Sequence, residues 1–162
     1  LLAFTRNTGP TLSPFNAWVV LKGLETLDLR IRRQSSNAVE VGKFLEQRVE
    51  KILHPGLPSH PQHNLAMSQM EAAGPIFSLY VGGGRARAHA LLNGLNLIDI
   101  SNNIGDSRSL MCHPSSTTHH GLGEEARVEI GITEDMLRIN VGLEDPVDLI
   151  EDLDQALSSV GL

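Results

Sequence analysis

Arg138 stands in the run Met136-Leu137-Arg138-Ile139-Asn140-Val141, where a guanidinium and an amide alternate with apolar residues. Alternation of this kind predicts a strand with two unlike faces. An edge strand with one solvated face would accommodate the charge without any further role. If that face is covered, the arginine needs an anion, because a charge removed from water is tolerated only when paired. Its planar fork of donors matches a carboxylate. A second candidate is Ile100-Ser101-Asn102-Asn103-Ile104-Gly105-Asp106-Ser107, a polar cluster leaving a short apolar strand. Asn, Gly and Asp commonly make a plain turn. The same loop also offers main-chain N–H groups and amide side chains at a strand end, where ligands are often held.

Other groups carry less. Seven histidines invite a metal reading, with His54, His60 and His63 close in sequence, as are His113, His119 and His120. Neither set matches H-E-x-x-H, and the single cysteine supplies no zinc framework. Three of them precede prolines (His54-Pro55, His60-Pro61, His113-Pro114), so turn geometry explains them at least as well. Gly82-Gly83-Gly84-Arg85 lies where phosphate loops occur, yet lacks both G-x-G-x-x-G and G-K-[ST], and reads as a tight turn. Cys112 and His113 are neighbours on a predicted strand and point to opposite faces, so they form no nucleophile–base pair.

The elements that must position these groups follow from periodicity and punctuation. Residues 1–12 carry turn chemistry. Ser13-Pro14 opens a helix, with serine as cap and proline at the first helical position. Apolar residues recur at helical spacing from Trp18 to Ile31 and again from Ala38 through Val41, Leu45, Val49 and Ile52. The polar stretch 32–37 between them predicts one long helix or two joined by a kink there. His54-Pro55-Gly56-Leu57-Pro58 ends it. A short helix over 60–70, a strand over 76–81, a helix over 85–95 and strands over 97–101 and 109–113 follow. A short helix over 124–131, a strand over 136–141 and a closing helix over 146–160, capped by Asp145, complete the order. Several successive strands lack a long crossover helix, which favours an α/β sandwich with a mostly antiparallel sheet.

Composition bounds the function. The chain has 162 residues, 41% hydrophobic and 20% charged, with net charge −6 from 19 acidic residues against 13 Lys+Arg. The nearest approach to a basic cluster is Arg30, Arg32 and Arg33, too short to favour nucleic acid or a lipid surface. One cysteine excludes an internal disulfide and fits a reducing compartment. The longest apolar stretches, such as 17–21, fall far short of the roughly 20 residues a membrane span requires. The sequence starts in mid-pattern without Met, and is expected to be part of a longer protein.

Three blocks, read in order, carry a family likeness. They are Gly9-Pro10-Thr11-Leu12-Ser13-Pro14-Phe15-Asn16-Ala17 leading into Leu21-Lys22-Gly23-Leu24-Glu25-Thr26-Leu27, then Ser101 to Ser109, then Ile132-Thr133 through Leu137-Arg138 to Gly142-Leu143-Glu144-Asp145. Their order and spacing resemble the cystathionine synthase/lyase and homocysteine-forming sulfhydrylase group of fold-type I pyridoxal-phosphate (PLP) enzymes. Asn103-Ile104-Gly105-Asp106 is similar to the N-L-G-D of the sulfhydrylases, where lyases and γ-synthases carry S-L-G-G, and Thr117-Thr118-His119 matches their T-T-H. Residues 102–107 resemble the bacterial branch that uses O-succinylhomoserine.

The resemblance implies the C-terminal domain of such an enzyme: α/β, a mostly antiparallel sheet with helices on it, preceded by a long bridging helix. Residues 1–36 would end the large domain and form that helix, and 37–162 would form the small domain. It implies that Arg138 grips the α-carboxylate of an amino-acid substrate. Asn103 would orient that carboxylate, and Ile104 would present main-chain groups. The implied reaction is γ-replacement, forming homocysteine from O-succinylhomoserine and sulfide. Cystathionine γ-synthase or γ-lyase activity, or a non-catalytic α/β binding module, are the alternatives. A cytoplasmic homotetramer is the implied assembly. The family's cofactor lysine belongs to an S-x-T-K-like motif upstream of G-P-x-x-S-P-F, and Lys22, Lys43 and Lys51 lie in no such motif. The catalytic and cofactor-binding residues are therefore expected in an N-terminal part outside this sequence, without which the chain is expected to be inactive.

Overall fold

The computed structural model describes residues 2–9 and 12–162. The chain divides into two compact units, Leu1–Arg30 and Ile31–Leu162, upstream of the boundary expected at 36/37.

In the first unit, α1 (Leu2–Thr8) replaces the irregular segment expected over 1–12. Part of the turn chemistry ends this helix: Gly9, at φ 74°, donates its N–H to the Thr5 carbonyl at 3.1 Å. Pro10 and Thr11 of the first family-like block lie outside the described residues. Helix α2 (Pro14–Glu25) begins as the sequence predicts, with the Ser13 hydroxyl accepting the Asn16 N–H and Pro14 in the first turn. No residue of α2 is buried, and Phe15, Trp18, Leu21 and Leu24 are exposed.

Helix α3 (Leu27–Leu45) matches neither alternative, one long helix or two joined by a kink at 32–37. The break comes earlier, at Thr26, and the polar stretch is continuous helix. Gln34, Ser35 and Asn37 are buried, and each donates to main-chain carbonyls, so they continue the inward stripe of Ala38, Val41 and Leu45. The helix stops at Leu45, and Ile52 lies instead in a strand the sequence reading missed, β1 (Lys51–Leu53). Its three residues are too few to show a period.

Next come α4 (His63–Gln69), β2 (Ile76–Tyr80), α5 (Gly84–Gly94), β3 (Asp99–Ile100) and β4 (Leu110–Cys112). A 3-10 turn (Pro114–Ser116), α6 (Glu124–Glu129), β5 (Met136–Asn140) and α7 (Pro146–Ser159) complete the chain. The sheet order is β1-β2-β5-β4-β3, antiparallel except for the β3–β4 pair. The Gly82-Gly83-Gly84 turn needs three left-handed residues in succession, φ 62°, 68° and 69°, which only glycine adopts cheaply. Asp145 caps α7 by accepting the Val147 N–H.

Strand alternation separates two faces. Phe77, Leu79, Leu137, Ile139 and Met111 form one face and share the core with Ala88, Leu91, Leu149 and Leu153 from α5 and α7. The other face carries Ser78, Arg138 and Cys112 side by side, Arg138 being in register with both neighbours. At the end of α5, the Asp152 carboxylate accepts the N–H groups of Asn96, Leu97 and Ile98. Burial disfavours its charge, but these donors prevail and hold its pKa below the ordinary value. The segment leading into β3 is fixed by that contact.

Candidate functional site

Arg138 lies on the central strand β5, between β2 and β4, and is half-buried. The solvated edge strand considered from the sequence is therefore replaced by an interior one. One arm of the guanidinium, Nη2, donates to the Asn102 carbonyl at 2.7 Å. Among the described residues of its unit, no carboxylate lies within ion-pair distance of it. Cys112, its buried neighbour, has its thiol pKa raised by burial, against the pull of the Arg138 charge and a Thr117 hydrogen bond.

The loop 101–109 connects the parallel pair β3 and β4. Asn103 is exposed, its N–H donating to Ser101 Oγ at 3.3 Å, and Ile104 is 62% exposed. The structure thus brings Arg138 to the loop that carries Asn103 and Ile104, through the main chain of Asn102. Gly105 turns at φ 82° and donates to the buried Asn140 Oδ1 at 3.5 Å. Asn140 sits two residues beyond Arg138, so one strand supplies both the charge and a support for the loop.

Further support comes from residues to which the sequence reading gave no site role. Gln34 Nε2 donates to the Asp106 carbonyl at 2.7 Å and the Val141 carbonyl at 3.1 Å. Asn37 Nδ2 donates to the carbonyls of Gly142 and Glu144, at 3.1 and 2.9 Å. Glu144 accepts the Ser109 N–H at 2.7 Å and its hydroxyl at 2.8 Å, while Ser109 Oγ accepts the Gly142 N–H at 2.8 Å. A side chain at Gly142 would meet the Arg108 carbonyl carbon and the Ser109 nitrogen, each at 2.5 Å. The Gly142 and Glu144 of the third block are thus explained by close approach to the loop. Gln34 and Asn37 gave one usable signal, amides in phase with the apolar stripe of α3.

The histidines divide. His54 is fully buried, its Nδ1 accepting the Gly56 N–H at 3.0 Å and its Nε2 facing the Gly74 carbonyl at 3.2 Å. Burial, reinforced by His60, lowers its pKa despite the opposing pull of the Gly74 carbonyl and Glu46. Among the described residues no group of three or more His, Cys, Asp and Glu is placed to hold a metal.

Residues 1–158 match the model of the family described as Cys/Met metabolism PLP-dependent enzyme. An O-succinylhomoserine sulfhydrylase of Mycobacterium tuberculosis is 46% identical over 94% of this chain and 39% of its own length. A cystathionine gamma-lyase of Mus musculus is 40% identical over 98% of this chain and 40% of its own. The crystal structure of a cystathionine gamma synthase from Xanthomonas oryzae pv. oryzae superposes with a TM-score of 0.87 at 37% identity, over 95% of this chain and 40% of that one. The chain therefore spans about two-fifths of the length of these relatives. On this match the chain belongs to the Cys/Met metabolism family of PLP-dependent enzymes.

Proposed function

We propose that this chain is the substrate-carboxylate-holding C-terminal part of a PLP-dependent sulfhydrylase, forming homocysteine from O-succinylhomoserine and sulfide by γ-replacement. The observation that carries the reading is the half-buried Arg138 guanidinium, with no carboxylate partner in its described unit, lying against the loop of Asn103 and Ile104. In this role Arg138 binds the α-carboxylate through its remaining donors. Asn103 and the main chain at Ile104 orient the amino-acid backbone, so that the Cα–H bond is presented correctly for proton removal. The run Asn102-Asn103-Ile104-Gly105-Asp106-Ser107 and the similarity to O-succinylhomoserine sulfhydrylases support the acyl group assigned.

The lysines described here do not suit the cofactor. Lys22 is exposed and paired with Glu25 at 3.0 Å. Lys43 is exposed, and the exposed Lys51 ammonium lies over the Tyr80 ring at 5.0 Å. An amine that attacks a carbonyl has to shed its proton, which burial or a nearby cation promotes. Cofactor attachment is therefore assigned to residues outside this sequence; on the family resemblance alone, the whole protein is read as a cytoplasmic homotetramer. The 162-residue chain, mixed with PLP and treated with borohydride, should show no stoichiometric label at any of these lysines.

The deciding assay is kcat/KM on the full-length protein for homocysteine formation from sulfide with O-succinyl- and O-acetylhomoserine, beside cystathionine cleavage. The reading expects O-succinylhomoserine to be preferred. Faster cystathionine cleavage would replace it with a γ-lyase, the second reading that the murine relative favours.

A further inference from the structure

His89, His113 and Ser116 form a cluster apart from Arg138 and the loop of Asn103. The His113 ring is buried, and its Nε2 lies 2.9 Å from the Glu134 main-chain oxygen. A carbonyl can only accept, so Nε2 carries the proton and Nδ1 keeps a lone pair. Two groups converge on that lone pair, Ser116 Oγ at 2.7 Å and His89 Nε2 at 3.2 Å, and these two are 3.3 Å apart. The imidazoles stand nearly perpendicular, at 88°. Together they wall a cavity of about 200 Å³ that Leu92, Asn93 and Ile100 also line.

We propose that His89 Nε2 and His113 Nδ1 chelate a divalent transition-metal ion of the Zn²⁺ class, with Ser116 Oγ beside it and water from the cavity filling the remaining positions. Two nitrogens about 2.0–2.1 Å from zinc at a tetrahedral angle stand roughly 3.3–3.4 Å apart. The observed 3.2 Å needs only a small adjustment. The Glu134 carbonyl already does what outer-shell acceptors do around ligating imidazoles: it fixes both tautomer and ring orientation. Its own side chain secures the turn that carries Ser116, accepting Ser115 Oγ at 2.6 Å and Arg127 Nη2 at 2.9 Å. To bind the ion, His89 must present Nε2 as a lone pair, with its proton on Nδ1. Imidazole ligands select zinc, copper and nickel over magnesium and calcium. With no third His, Cys, Asp or Glu in the group, the ion is exchangeable and a chelator removes it.

The proposal does not depend on the reaction assigned above. Zn²⁺ titration of the full-length protein by calorimetry, followed by Co²⁺ absorbance, should reveal one saturable ion per chain. That site should be lost in His89→Gln and kept in His120→Gln, a change at an exposed histidine outside the cluster. No saturable binding, or equal binding in His89→Gln, would overturn the assignment. Anomalous scattering from Zn²⁺-soaked wild-type crystals decides even if the variant misfolds. An ion between the two nitrogens supports the site, and ions elsewhere only, or none, refute it.

Discussion

The Arg138 guanidinium donates to the main-chain oxygen of Asn102 at 2.7 Å, tying the central strand to the loop between β3 and β4. One arm of the fork is committed to the loop, and the others remain for an anion. Arg138→Lys should therefore lose both the tie and the two-pronged grip. The expected cost is about 2–4 kcal/mol in kcat/KM, with cofactor content unchanged. Arg138→Ala should be worse. Steady-state homocysteine formation measures it, and a loss within about threefold for Arg138→Ala would end the carboxylate assignment.

Gly142→Ala should destabilise the protein by about 1–3 kcal/mol or shift the loop, because the added carbon meets main chain that cannot rotate away. Urea unfolding reads the loss, and a variant within about 0.5 kcal/mol of wild type would show that the approach relaxes freely.

Asn37→Ala should cost about 1–3 kcal/mol, since it strands two carbonyls inside the fold. Asn37→Asp tests the direction of those bonds. A carboxylate facing two acceptors should be more destabilising at neutral pH than alanine, and a milder effect in the same unfolding assay would contradict the geometry.

His54 links stability to pH. Its folded pKa is held below the ordinary 6.5, so on acidification the unfolded chain takes up the proton first. The contribution is complete above about pH 6.5 and is lost as pH falls through the folded value. His113 is shifted the same way by burial, opposed by the Glu134 carbonyl, and adds to the slope. Thermal melting should show wild type losing Tm between about pH 7.5 and pH 5.5, and His54→Asn losing less over that window. Identical slopes would remove His54 as a source.

What was legible in the sequence was what local chemistry determines. Ser13-Pro14 and Asp145-Pro146 announce their helices by capping, and 136–141 announces β5 by alternation. The loop at 101–107 was marked by its turn residues. Other features depended on long-range partners. The 32–37 segment reads as a surface interruption until its amides meet carbonyls more than 70 positions away. β1 becomes a strand by pairing with β2, and Leu2–Thr8 is helical where turn residues such as Asn7, Thr8 and Gly9 had predicted an irregular segment. Arg138 was visible as a charge among apolar residues, but its interior place in the sheet was not.

The two outer strands of the sheet, β1 and β3, are three and two residues long. Lys51 stands on one, and Asp99, paired with Arg108 at 2.7 Å, on the other. Short, charged borders are poor templates for strand addition, so the sheet resists growing from chain to chain. Lengthening β3 or neutralising Asp99 would trade that protection for a tendency to aggregate.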